Sequence, residues 1–136
     1  EGAASILQPA LGRSGGILET KKIAAIAEVN NAHIAPHLYA GPVEWAANIQ
    51  LAVNIPNILM AETILTGGGF SGDLIKNKII WDDGFIVAPT SPGIGIEFDE
   101  ELARNNKYNE NRLHLEMQDK PCDYKNSNTF AGGASD

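Results

Sequence analysis

The sequence predicts an α/β fold: a partial (β/α) TIM-type barrel, then a short irregular or β closing segment and a tail. Three observations carry that prediction. Short apolar runs recur at Ser5-Ile6-Leu7-Gln8, His33-Ile34-Ala35-Pro36 and Ile58-Leu59-Met60-Ala61. Longer stretches of helical pattern fill the gaps between them. The period is roughly 26 residues, the spacing of a strand, a turn and a returning helix. Crossovers of this kind are right-handed, so the strands are expected to be parallel neighbours.

Taken in order, the first run is short enough for a buried strand, and Gly15-Gly16 give backbone freedom at the turn behind it. A helix follows, with Thr20, Ile23, Ile26 and Ala27 on one face and Glu19 and Lys22 three apart on a wetter one. Asn30-Asn31 are its stop residues. After the second run, Pro42 or Val43 starts another helix, because proline suits a first helical position. Trp45, Ile49, Ala52 and Val53 form its expected buried stripe, and Pro56 marks its end.

Beyond Glu62 the texture changes. Thr66-Gly67-Gly68-Gly69-Phe70 reads as a flexible loop, and Asp73-Leu74-Ile75-Lys76 as a short helix or extended stretch. Ile79-Ile80-Trp81 and Phe85-Ile86-Val87 flank Asp82-Asp83-Gly84, a hairpin signal because Asp-Gly accepts positive φ. Pro89, Pro92, Gly93 and Gly95 deny helix, and residues 97–104 are helical or irregular. Leu113-His114-Leu115-Glu116-Met117 is a candidate strand, and residues 118–136 read as an exposed polar tail. The domain reading is a barrel segment over 1–98 and an extension with a flexible tail over 99–136.

Composition narrows the function classes. The 136 residues suffice for one domain, with 43% hydrophobic and 20% charged residues, so a packed core is expected rather than disorder. Ten Lys and Arg against 17 Asp and Glu leave a formal charge of −7, which opposes a nucleic-acid surface. No apolar run is long enough for a membrane span, and the single Cys122 cannot close an internal disulfide. The expectation is a soluble, cytoplasmic protein. Its start, Glu1-Gly2-Ala3, reads as the middle of a longer chain.

In a parallel β/α layout the loops after the strands' carboxyl ends form the active face. The three runs deliver Gln8, His37 and Glu62 there, with Arg13 in the first loop. An imidazole beside a carboxyl group is an acid/base pair; a histidine between Pro36 and Leu38 serves equally as a hydrogen-bonded core residue, and Glu62 as a solvated carboxylate. His33, at a strand start, is expected on the opposite rim, and His114 has no evident partner. Gly67-Gly68-Gly69 lacks the Lys-Ser or Lys-Thr of a phosphate cradle, and Gly93-Ile94-Gly95 has no βαβ unit around it. Cys122 has no local cysteine or histidine, which argues against zinc or thiol catalysis.

Gln8-Pro9-Ala10-Leu11-Gly12-Arg13-Ser14-Gly15-Gly16-Ile17 resembles the sixth-strand segment of the enolase superfamily, in its mandelate racemase and sugar-acid dehydratase branch. Lys22-Ile23-Ala24-Ala25-Ile26-Ala27-Glu28 is similar to the helix after it, and Ile34-Ala35-Pro36-His37 to the histidine-bearing strand. Gly41-Pro42 with Ala46-Ala47-Asn48 resembles the next helix, and Ile55-Pro56-Asn57 leads to Glu62 as in the eighth strand. Asp83-Gly84-Phe85-Ile86 and Pro92-Gly93-Ile94-Gly95-Ile96 resemble the closing segment.

The resemblance, over about residues 3–102, implies the carboxyl-terminal half of such a barrel. It implies an enzyme that abstracts the proton α to a carboxylate and, in many relatives, expels a β-hydroxyl to give a 2-keto-3-deoxy acid. It also implies Mg2+ bound to the enediolate oxygens, with ligands upstream and none in this chain. The partners it implies are a small sugar-acid substrate and further copies in a homo-oligomer, with no nucleic acid or membrane. By position, His37 matches the general acid/base and Glu62 a carboxyl, protonated in a buried setting, that hydrogen-bonds the enediolate. Gln8 and Arg13 are the candidate substrate-binding residues.

One position departs. Where the branch carries an aspartate that orients the histidine, this chain has Ala10. That leaves open whether His37 is a base or mainly an acid, and Gln8 and Arg13 cannot replace an anion. The alternatives are a racemase, epimerase or cycloisomerase of the same superfamily, or a catalytically silent homologue that binds acid sugars. Alone, the segment is expected to expose strand edges and apolar helix faces and to fold poorly.

Overall fold

The structure, a computed structural model, describes residues 2–63 and 70–106. Buried backbone N–H and C=O groups need partners, and the first two apolar runs provide them for each other. Strand β1 (Ile6–Leu7) pairs in parallel with β2 (His33–Ile34), in the register Ile6 with His33 and Leu7 with Ile34. Bonds beyond the strands continue the ladder: Ala35 N donates to Leu7 O at 2.9 Å and His37 N to Pro9 O at 3.1 Å.

The third run joins the other side of β2 through a single parallel bridge, Ile34 with Ile58. Ile34 N donates to Asn57 O at 2.9 Å and Leu59 N to Ile34 O at 2.8 Å. The expected strand over 58–61 is therefore reduced to Ile58. The next rung would need an N–H from residue 36, and that residue is Pro36. Leu59 and Met60 are exposed. The order β1, β2, residue 58, all parallel, is that of consecutive barrel staves.

The turn after β1 holds a short helix that the sequence pattern did not reveal, α1 (Leu11–Ser14), so Arg13 sits on a helix rather than in a loop. Gly15, at φ 96, breaks it from α2 (Gly16–Val29). The buried stripe of α2 is Thr20, Ala24 and Ala27, with Ile23 packed partly against the core. Ile26, expected on that face, is 67% exposed. The i, i+4, i+7 stripe through Ala24 presents small residues inward and turns Ile26 away. Asn30 caps the helix and Asn31 follows at φ 55, as expected of the stop pair.

Helix α3 (Pro42–Ala52) starts on its proline and buries Trp45, Ala46, Asn48, Ile49 and Leu51. Trp45 and Ile49 lie where the stripe was expected. Ala52 is half-buried, whereas Val53 is the cap residue and 58% exposed, because the helix ends before Pro56. Leu11, Ala24, Ala27, Ile34, Leu51 and Ile55 pack as one core between the helices and the parallel strands. Asn57 stitches that core: its Nδ2 donates to Ala24 O and Ala32 O, each at 3.0 Å.

The closing segment opens with α4 (Phe70–Asp73), which places Phe70 in a helix rather than the expected loop. Ile75 then bridges antiparallel to Phe98. Strands β3 (Ile80–Asp82) and β4 (Phe85–Val87) form the predicted hairpin, with Asp83 at φ 45 and Gly84 at φ 82 in the turn. Helix α5 (Glu100–Asn105) is capped by Asp99, whose Oδ1 accepts from Leu102 N at 2.9 Å. Trp45 stacks on Trp81 with ring centroids 6.3 Å apart, joining α3 to the hairpin. The expected loop at 66–69, strand at 113–117 and tail at 118–136 lie outside the described residues.

Candidate active site

Because the strands run in parallel, residues a few positions beyond each pairing emerge on one rim. His37 and Glu62 each follow their pairing residue, Ile34 or Ile58, by three or four positions, 25 residues apart in sequence. They meet: His37 Nδ1 lies 2.8 Å from Glu62 Oε2. The same oxygen accepts a 2.7 Å hydrogen bond from Leu38 N. The His37 backbone is in turn fixed to the first strand through Pro9 O. One carboxyl oxygen thus ties the end of the second strand to the end of the third.

The side chains are 38% exposed for His37 and 45% for Glu62. The buried setting expected for Glu62 is not found in this chain; its carboxyl stands at an open rim. Gln8 and Arg13 are also exposed, and among the described residues no hydrogen bond or ion pair joins either to the pair. His33 is exposed at the start of β2, toward the other end of the strands.

Two features of the rim escaped the sequence reading. The backbone N–H of Leu38 is a donor to Glu62, and a main-chain group leaves no mark in side-chain patterns. Glu44, in the first turn of α3, accepts from Gly12 N at 3.0 Å and so anchors α1. An acid just inside a helix start is a common dipole partner, which hides a contact to another helix. Glu44 also lines an open, mainly apolar groove of about 700 Å³, with Leu11, Ile17, Pro42, Val43 and Leu74. His37 and Glu62 do not line that groove.

Among the described residues no group of three or more His, Cys, Asp or Glu side chains converges as a metal site. His37 and Glu62 are spent on each other, and an imidazole nitrogen is a poor ligand for a hard cation that prefers oxygen. The described residues do not fit that ion. No helix among them is long and apolar enough to cross a membrane.

Parallel staves joined by returning helices, with an imidazole and a carboxyl at their carboxyl ends, define a piece of a barrel domain. The chain belongs to the enolase C-terminal domain-like family, whose model matches residues 1–102. It is 41% identical over 107 residues to a D-galactonate dehydratase of Variovorax paradoxus (strain S110), a match over 74% of this chain and 28% of that protein. Its structure is similar to a mandelate racemase/muconate lactonizing enzyme from Sulfitobacter sp., with TM-score 0.77 and 67% identity, over 90% of this chain and 31% of that one. A mandelate racemase/muconate lactonizing enzyme-like protein from Roseovarius sp. TM1035 is similar at TM-score 0.77 and 62% identity, again over 90% and 31%. The chain spans less than a third of the length of these relatives.

Proposed function

We propose that this chain is the carboxyl-terminal part of the barrel domain of an enzyme that removes the proton α to a carboxylate and eliminates water from a sugar acid. The observation that carries this reading is the 2.8 Å contact between His37 Nδ1 and Glu62 Oε2 on the rim of parallel strands. Kinship with a D-galactonate dehydratase supports an aldonate or aldarate as substrate. The boundary near residue 98, a cytoplasmic setting and a homo-oligomeric whole protein belong to the same proposal.

The chemistry asks for two proton movements. The α-proton of a carboxylate is very weakly acidic, so it must pass to a base, which the resemblance puts outside this chain, and the enediolate left behind needs donors at its oxygens. The β-hydroxyl is a poor leaving group and departs as water once protonated. His37 supplies that proton through Nε2, the nitrogen turned away from Glu62. Glu62 sits beside it, and its Oε1 hydrogen-bonds an enediolate oxygen when that carboxyl oxygen carries a proton, since an ionised carboxylate only accepts. The enol then becomes a 2-keto-3-deoxy acid. Arg13 is suited to the substrate carboxylate by its forked donors, and Gln8 to a hydroxyl.

The test is turnover of a panel of aldonic and aldaric acids by the full-length protein with magnesium. Accumulation of a 2-keto-3-deoxy acid is expected, and turnover of none of them defeats the reading. Products that keep every oxygen would make the protein a racemase, epimerase or cycloisomerase, and binding without turnover a silent homologue. His37→Asn is expected to lower kcat by about 10²–10⁴-fold, the usual worth of an acid/base group. Undiminished turnover would remove His37 from the chemistry.

A further inference from the structure

The geometry points to a second duty for Glu62: we propose that it is the positioning residue of His37, setting the imidazole tautomer through Oε2. This rests on His37 being the proton-handling group of the reading above.

An imidazole within 2.8 Å of a carboxyl oxygen through Nδ1 makes a hydrogen bond when that nitrogen carries the proton. Oε2 is held in place independently, because it also accepts the Leu38 N–H at 2.7 Å. The acceptor is therefore fixed by the backbone and does not depend on the ring for its position. With Nδ1 as donor, neutral His37 has Nε2 free as the acceptor, and the cation has Nε2–H ready to donate. Both forms keep the proton that moves on the atom facing away from Glu62.

Among the described residues, the other segment hydrogen-bonded to His37 offers no rival. It is Gln8-Pro9-Ala10, which reaches His37 through the Pro9 carbonyl and the His37 backbone N–H. Ala10 has no polar side-chain atom, and Gln8 and Ala10 have no hydrogen bond to the ring. Among the described residues Glu62 is the acid in contact with His37, and it comes from the strand on the far side of β2 from Ala10. Both contacts use Oε2, so Oε1 is left to face a substrate. The two duties of Glu62 fall on different oxygens.

The measurement is the tautomer of His37 in the full-length protein labelled with ¹⁵N-histidine, with His37→Asn assigning the resonance. Wild type is expected to show a protonated Nδ1 and an unprotonated Nε2 for the neutral ring. Glu62→Ala is expected to move the neutral ring toward the Nε2–H form and to lower kcat by about 10²–10⁴-fold, as an ill-set tautomer does. Glu62→Gln is expected to keep Nδ1–H, because its amide oxygen can accept from both Leu38 N and Nδ1. A wild-type ring in the Nε2–H form overturns the proposal, even if Glu62→Ala does not fold. So does a Glu62→Ala protein whose ring is unchanged from wild type. The tautomer reads out without turnover. An Nδ1–H ring in a protein inert toward every sugar acid therefore defeats the functional reading and leaves the positioning of His37 in place.

Discussion

The parallel layer over residues 5–63 and the closing segment over 70–106 are held by different means. In the first, helices pack small residues, Ala24 and Ala27, against a core of Leu11, Ile34, Leu51 and Ile55. In the second, a two-stranded hairpin leaves Ile80, Phe85 and Val87 exposed and leans on α3. Ile75, Ile79, Trp81 and Ile86 pack with Trp45 and Ile49 of α3 and with Leu38 in a second apolar cluster. Trp81 stacks on Trp45, and Gln50 Nε2 donates to Pro89 O at 3.1 Å and to Ile94 O at 3.3 Å. An isolated two-stranded hairpin is marginal in water. The closing segment therefore borrows its order from α3, while the parallel layer supplies its own and carries the His37–Glu62 rim.

Trp45 belongs to both regions, and its removal is the severest test of that difference. Trp45→Ala deletes a buried aromatic and its stacking partner's support, with an expected cost of about 3–5 kcal/mol. Hydrogen exchange on the full-length protein should then show the 80–87 amides losing protection before those of α2. Equal loss in both would mean that the closing segment does not depend on α3.

Two substitutions of intermediate size separate the regions. Asn57→Ala strips the donors from Ala24 O and Ala32 O inside the parallel layer, at an expected cost of about 1–3 kcal/mol in chemical denaturation. Gly95→Ala acts on the other side. Gly95 has φ 85, and an added Cβ would lie 2.6 Å from the Pro89 ring. The expected cost is also about 1–3 kcal/mol, with faster exchange confined to the closing segment. Fast exchange in α2 from Gly95→Ala would show the two regions to be one cooperative unit.

The smallest effect concerns Lys76, whose pKa is raised above 10.5 by its hydrogen bond and charge pairing with Glu97. The pair spans 3.2 Å between exposed side chains, so its contribution is minor. A raised lysine pKa means the folded state holds its proton more tightly. The stabilisation is present in full below pH 10.5 and fades as pH rises through the raised value. Lys76→Met should remove only that alkaline dependence in urea titrations from pH 9 to 12. An unchanged dependence would exclude the pair as its source.

How much could be read beforehand differs between the same two regions. Gly, Pro and Asn punctuation fixed the helix limits near Gly16, Pro42 and Asn30, and Asp83-Gly84 fixed the hairpin. These signals act within a turn or two of chain. The face of a helix was less legible: Ile26 and Val53 are apolar and were expected inside, yet both are exposed. Periodicity says that a stripe exists, but the neighbour's shape decides which rotation of it is buried. The His37–Glu62 pair was legible as two strand-end residues. The atoms that meet, and the Leu38 N–H that holds the carboxyl, were not.

The order of parallel strands, the returning helices, the hairpin turn and the rim on which His37 and Glu62 emerge follow from the sequence alone. They depend on local conformational preference and on a two- or three-and-a-half-residue alternation of apolar side chains. The shortening of the third strand, the rotation of α2 and the use of one Glu62 oxygen by two donors were decided by the tertiary structure. Each depends on groups 20 or more residues apart, such as Pro36 beside Leu59, and local pattern holds no record of which distant atoms will share a hydrogen bond.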